Sequence, residues 1–241
     1  NTNLRGRIRN IDLSGYNQYE WSGVGLLLES NSRINITNIT AKYRNIGIRL
    51  MGNSDFNNIS HNDVSNATTY GIFLNESGSN DPEYNLIGYN NITYVGLSGI
   101  YLEQSTGTSI FNNDFSYSNT GLNITSNTFR SNITNNTFFN NQWGVILGVS
   151  LIPANNTLYY NNFTNASKGF INSVTGNLFN TTINGVAHGN YYSDLINLNI
   201  TDSDGDGFGD TGSQYPYNRS NGGNVSNFVN DFGPILTTST V

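Results

Sequence analysis

The densest chemistry in the chain lies at residues 202 to 210, which read Asp-Ser-Asp-Gly-Asp-Gly-Phe-Gly-Asp. Asp202, Asp204 and Asp206 alternate, Gly207 permits a sharp turn, Phe208 can offer its backbone carbonyl, and Asp210 holds the ninth position. This matches the first nine positions of an EF-hand-type calcium loop, in which several oxygens converge on one hard cation. The twelfth position is Ser213 rather than Glu, so the usual bidentate ligand is missing, and a later acid such as Asp231 is the expected substitute. Ca2+ is the one cofactor expected, in a structural role that ties down a tail with little apolar core of its own.

Other constellations are sparser. Hydrolysis of a glycosidic bond needs two carboxylates across a groove. Glu76 and Glu103 follow the aliphatic motifs of successive repeats and could share one face, yet acids in register are more commonly a solvated edge, so no catalytic residue is assigned. With no Cys, one Met and two His, thiolate chemistry is excluded and soft-metal ligands are scarce; His61, His188 and Met51 share no ligand spacing. Asn-x-Ser/Thr sequons number 16. Glycans are expected first at turns (Asn75, Asn155 and Asn218) and also at Asn35, Asn66, Asn91, Asn132, Asn165, Asn180 and Asn224.

Repeats must position these groups. A Gly-aliphatic-x-aliphatic motif recurs at Gly25, Gly47, Gly71, Gly99, Gly121 and Gly144, and more weakly at Gly169, at spacings of 22, 24, 28, 22, 23 and 25 residues. Between the glycines come asparagine pairs followed by Ile or Phe, as in Asn57-Asn58-Ile59, Asn90-Asn91-Ile92 and Asn161-Asn162-Phe163. Aliphatic residues two apart face one side of a short strand. Gly or Asn beside them is expected to supply a positive-φ bend. Each repeat then forms one rung, stacked on the next at roughly 4.8 Å, with Asn above Asn in a hydrogen-bonded ladder. The six residues 78 to 83, with Pro82, read as a loop insertion. A helical solenoid is disfavoured by the Asn, Gly, Thr and Tyr content, and a leucine-rich repeat would need a Leu/Asn spacing that is absent.

The predicted fold is therefore all-β: a single-stranded right-handed parallel β-helix of about seven to eight rungs with a C-terminal calcium-loop segment. The expected layout is an N-terminal strand or cap over residues 1–20, the β-helix over 21–194 and the tail over 195–241. Over residues 21 to 194 the repeats resemble those of NosD-like proteins and related carbohydrate-binding or sugar-hydrolase β-helices. The stretch His188-Gly189-Asn190-Tyr191-Tyr192-Ser193-Asp194 looks like the closing segment of archaeal NosD-like surface proteins, and the acidic loop is similar to those of dockerin and thrombospondin repeats. The resemblance implies copper delivery, which the scarce His and Met do not favour, or sugar binding.

Solubility rests on 45 Asn and many Ser and Thr rather than on charge, since only 11% of residues are charged. The net charge of −6 and the lack of an aromatic–basic patch argue against nucleic acid. No apolar run reaches the roughly 18 residues of a membrane span. No signal peptide is visible in the residues from Asn1 onward, so if the protein is secreted the mature form is expected here. Residues 1 to 50 carry seven cations against three acids, whereas residues 190 to 241 carry one Arg against six Asp. Arg5, Arg7 and Arg9 alternate along one strand and are expected to join the acidic end of a second copy, head to tail. The expected function is a structural or adhesive glycoprotein of the cell surface, polymerising through these ends; the alternative is a polysaccharide-binding or polysaccharide-cleaving protein.

Overall fold

The computed structural model describes residues 6–15, 23–125, 127–148 and 154–236. It is a parallel β-helix whose rungs contribute in turn to three sheets. Sheet A stacks Arg7–Asp12, Asn35–Thr40, Asn58–Ser60, Leu86–Gly88, Ser109–Phe111, Asn132–Thr134 and Thr157–Tyr159. Sheet B stacks Val24–Glu29, Ile46–Met51, Tyr70–Asn75, Ser98–Leu102, Thr120–Ile124, Trp143–Leu147 and Gly169–Ser173. Sheet C stacks Asp114–Ser116, Thr137–Phe139, Asn162–Thr164 and Tyr191–Tyr192, and single pairings carry it back through Asn91 and Asp63 to Thr40. Sheets A and B thus hold seven strands each, against the seven to eight rungs expected. Parallel crossovers within a sheet take the right-handed path that strand twist favours.

The core follows from the repeat. Ile48, Ile72 and Ile100 stack in register, as do Leu50, Leu74 and Leu102, and all six are fully buried. On sheet C the inward column runs Ala41, Val64, Ile92, Phe115, Phe138, Phe163 and Tyr192, growing toward the C-terminal end. Its rings stack nearly parallel, Phe115 on Phe138 and Phe138 on Phe163 at 4.8 Å, then Phe163 on Tyr192 at 5.5 Å.

The motif glycines are needed for space, not for a bend. From Gly47 to Gly144 they have no positive φ; instead an added Cβ would lie 2.5 to 2.7 Å from the next rung's carbonyl oxygen. The same Cβ would meet the sheet C column: Val64 at Gly47, Ile92 at Gly71, Phe115 at Gly99, Phe138 at Gly121 and Phe163 at Gly144. Strand and column approach closely only where the side chain is a hydrogen.

Positive φ is found instead at the corners, in columns. One column holds Arg33, Phe56, Tyr84, Arg130 and Asn155; the next holds Asn38, His61, Tyr89, Asn112, Asn135 and Tyr160; the third holds Tyr43, Asn66, Tyr94, Tyr117, Asn140 and Asn165. Tyr and Phe are unexpected there, since the left-handed region costs a side-chain-bearing residue about 1 kcal/mol. Ring stacking offsets that cost: Tyr94 lies on Tyr117 at 4.8 Å and 4°, and Phe56 on Tyr84 at 5.3 Å and 14°.

A ladder of buried amides lines the corner between sheets A and C. Asn62, Asn90, Asn113, Asn136, Asn161 and Asn190 each donate backbone N–H to the side-chain acceptor of the next rung, at 2.8 to 3.1 Å. Eleven asparagines are buried among the described residues, and none heads a sequon. All 16 sequon asparagines are exposed or half-buried. The period of the strand separates the two populations. A ladder Asn precedes an inward apolar residue by two, whereas in Asn132-Ile133-Thr134 the Asn and Thr both point outward around an inward Ile.

The tail returns to the helix instead of trailing from it. Val225 pairs with Ile171 as the next strand of sheet B, and Tyr217 stacks on Tyr192 at 4.0 Å to extend the aromatic column. The C-terminal end of the helix is therefore covered. At the other end, Arg7–Asp12 pairs within its own subunit, Arg7 opposite Asn35 and Arg9 opposite Thr37, with both arginines exposed. Arg5 lies outside the described residues.

Candidate functional site

Two regions collect reactive side chains. In the acidic loop, Asp202 acts as the organiser. Its Oδ1 accepts from Gly205 N at 2.7 Å and Asp206 N at 3.2 Å, and its Oδ2 accepts from Gly207 N at 2.8 Å. Gly205 and Gly207 have φ of 81° and 94°, which this tight path requires. These donors, Gly207 N–H foremost, hold the Asp202 carboxyl below its ordinary value. Asp210 closes the loop by accepting from Ser203 N at 3.0 Å and Ser203 Oγ at 2.6 Å. Asp202, Asp204 and Asp210 each bring an oxygen within 4.8 Å of the others. Loss of solvent and then the charges of Asp206 and Asp210 raise the Asp204 carboxyl.

Two expected ligands are placed differently. Asp206 is outside that group, and its Oδ1 accepts from Phe208 N at 2.9 Å. Asp231 is fully buried and outside that group: it accepts from Asn190 N, Tyr192 Oη and Gly233 N. The expected completion of the loop by Asp231 is therefore corrected, because that carboxylate already caps the amide ladder. Phe208 seats the loop on the helix, its ring 4.2 Å from His188 and 6.2 Å from Tyr160.

The second region is the outward face of sheet B. Arg49, Phe73, Tyr101 and Asn123 lie in register on successive rungs. Tyr70 stacks on Tyr101 at 4.7 Å and tilts against Phe73 at 4.9 Å, and the Arg49 guanidinium sits 5.1 Å over the Phe73 ring. Arg49 Nε also donates to Asn75 Oδ1 at 3.0 Å, which fixes the fork. Burial, then the charges of Tyr101 and Glu103, push the Tyr70 hydroxyl up, so it stays a neutral donor. Rings, a planar cation and amides on a rigid platform suit a ligand with both apolar faces and polar edges. No sequence signal singled out this platform, because its members are scattered at intervals of a whole repeat.

The pairing of Glu76 with Glu103 is not realised. Glu103 N donates to Leu74 O at 2.9 Å, which aligns Glu103 with Asn75, and the amide of Gln104 faces the Glu76 carboxylate. The two acids are one residue out of register.

The expected glycan sites divide by their exposure. Asn91, Asn155, Asn165 and Asn224 are exposed. Asn35, Asn66, Asn132 and Asn180 are half-buried. So are Asn75 and Asn218, whose amides are also engaged: Asn75 with Arg49 and Glu76, Asn218 with Asn230 and Asn221.

His61 is an exposed corner residue stacked on Tyr89 at 5.0 Å, and His188 lies five rungs further on, roughly 24 Å along the axis. No histidine joins a metal-ligand group among the described residues, and no helix there is long and apolar enough to cross a membrane.

The fold resembles that of the Azotobacter vinelandii mannuronan C-5 epimerase AlgE6 A-module, with a TM-score of 0.52, 13% identity, and coverage of 64% of this chain and 53% of that one. The AlgE4 A-module of the same organism aligns with a TM-score of 0.43 and 12% identity over 64% of this chain and 50% of its own. The chain thus spans about half the length of these structures. Comparison with curated proteins gives no match. The profile described as "Periplasmic copper-binding protein (NosD)" matches residues 16–196, three quarters of the sequence, and the chain belongs to the NosD family.

Proposed function

We propose that this chain is the adhesive β-helix of an exported surface glycoprotein, and that it holds a polysaccharide along the outward face of sheet B without cleaving it. The observation that carries this reading is the Tyr70–Tyr101 platform, seated on the buried Phe73 ring beside Arg49, where sugar faces can lie on the half-buried tyrosine rings and hydroxyls can meet the Arg49, Asn75 and Glu103 side chains. The offset of Glu76 from Glu103 favours binding over hydrolysis. The family's periplasmic description supports export, and the outward placement of all 16 sequons supports glycosylation outside the cytoplasm. Copper does not suit this chain's donors, since imidazole, thiolate and thioether ligands do not converge. Ca2+ suits the acidic loop, with Asp202, Asp204 and Asp210 as ligands and Phe208 anchoring the loop to the helix. Head-to-tail pairing through Arg5, Arg7 and Arg9 is not part of the reading, because the tail covers the edge such pairing would need.

The test is retention on a panel of immobilised polysaccharides, followed by Tyr70→Ala and Tyr101→Ala. At least one polysaccharide should bind, and each substitution should weaken it by about tenfold, the value of one aromatic contact. Absence of any retained polysaccharide, or binding indifferent to both substitutions, overturns the proposal.

A further inference from the structure

We infer that the pocket at the C-terminal end of sheet B takes an anionic sugar, which makes the bound polysaccharide an acidic one; this rests on the glycan reading above. Trp143, Lys168 and Asn172 form one wall, and Arg219, Asn224 and Ser226 of the returning tail form the other, around a cavity of about 270 Å³. The tail wall is fixed by three bonds: Phe170 N to Asn224 O at 2.9 Å, Ser226 N to Ile171 O at 3.0 Å, and Ser173 N to Ser226 Oγ at 2.8 Å.

Charge decides the ligand class. The pocket has two cations and no acid in its lining, in a chain of net charge −6. Lys42–Asp63 is the one ion pair among the described residues, so neither Lys168 nor Arg219 has a carboxylate partner. Arg219 spends a single long contact, Nη1 to Val225 O at 3.4 Å, and keeps its remaining donors. Two unpartnered cations beside an indole match an anionic pyranose, with its acid on the cations and its ring face against Trp143. Position then links this pocket to the platform. Trp143 stands in register with Thr120, Ser98 and Tyr70, three rungs or roughly 14 Å along the same face, so one extended polymer can reach both.

The experiment is calorimetric titration of the folded full chain with oligomers of a uronic acid and with the same oligomers after carboxyl reduction, which keeps linkage and length but removes charge. The uronate form should bind at least about tenfold more tightly, as expected for one or two charge-assisted contacts. The Lys168→Gln/Arg219→Gln variant should lose that preference while keeping its affinity for the reduced oligomer and an unchanged circular dichroism spectrum. Equal binding of the two forms, or a preference that survives in the variant, overturns the acidic pocket and leaves the glycan platform standing. Failure of both forms to bind overturns the pocket, while the platform stands or falls on the polysaccharide panel.

Discussion

The carboxylate of Asp231 stands to Asn190 as the amide oxygen of Asn190 stands to Asn161. Asn161 donates N–H at 3.1 Å and Nδ2–H at 2.9 Å to Asn190 Oδ1, and Asn190 donates the same two groups at 2.8 and 3.3 Å to Asp231 Oδ2. Asp231 is thus the final ladder step, supplied by a chain segment 41 residues downstream.

This substitution of acid for amide makes stability depend on pH. Burial outweighs the donors around Asp231 and pushes its carboxyl up to about 7 from 3.8. The folded state therefore binds a proton that the unfolded state has released between those values. The stabilising contribution is full below pH of about 4 and is lost as pH rises through about 7. Asp194, also raised by burial, acts in the same direction, while Tyr192 and Tyr217 stay neutral. Urea unfolding should show stability falling by a few kcal/mol across this window, and Asp231→Asn should flatten the slope. Asp231→Ala should cost about 2–4 kcal/mol, since it strands the Asn190, Tyr192 and Gly233 donors. A pH-independent wild type would refute the assignment.

The motif glycines should resist the smallest substitution. Gly99→Ala and Gly121→Ala bring a Cβ to 2.5–2.7 Å from a carbonyl oxygen and under 3 Å from a phenylalanine ring, and should cost about 3 kcal/mol. Gly78→Asn is the contrast: its φ of 72° suits Asn and nothing lies within 4 Å, so thermal unfolding should barely move.

Legibility in the sequence follows the length scale of each feature. The pairs Ile72/Leu74 and Ile100/Leu102 revealed the rung because a two-residue period and a 22- to 28-residue repeat are both local patterns. The asparagine ladder was legible for the same reason. The role of the motif glycines was not, because the Cβ clash involves the next rung and the sheet C column. Nor were the aromatic corners, since the ring that stacks on Tyr94, that of Tyr117, lies a whole rung away in sequence. The acidic loop was visible as a motif, but Asp231 was misassigned because nothing in the spacing told of the tail's return to Asn190. The pocket of Trp143 and Arg219 was hidden for that reason too.

Calcium removal should act locally. With the metal chelated, residues 199 to 215 should become sensitive to protease while the rungs keep their circular dichroism. Asp204→Ala should reproduce this, and Asp206→Ala should do so less, because its carboxylate caps Phe208 N outside the converging group. Affinity of about 10⁻⁴ to 10⁻³ M, the range of extracellular calcium modules, is expected. Equal cleavage with and without chelator would count against the site.

Glycan occupancy should follow exposure. Peptide mapping of protein from its native host should find sugars at the exposed Asn91, Asn155 and Asn165 ahead of the half-buried Asn75 and Asn218, while Asn224, in the wall of the Trp143 pocket, should stay bare. An intact mass equal to the bare 26.5 kDa would sink the idea.

The tail should also govern association. A parallel β-helix offers a neighbour its open strand edge and its exposed core, and both are consumed at the C-terminal end. Val225 pairs with Ile171, Tyr217 covers Tyr192, and Asp231 satisfies Asn190. Charge attraction between Arg7 or Arg9 and the acidic loop is solvent-exposed and screened by salt, so it adds little without such an edge. The chain should therefore sediment as a monomer, and Arg7→Glu/Arg9→Glu should leave it so. Truncation before Leu195 would strip the cover from the Gly169–Ser173 edge and the Phe163–Tyr192 stack, and that form should associate in a concentration-dependent way. Filaments from the full chain, dissolved by the arginine reversals, would show instead that charge pairing of the ends drives assembly despite the cover.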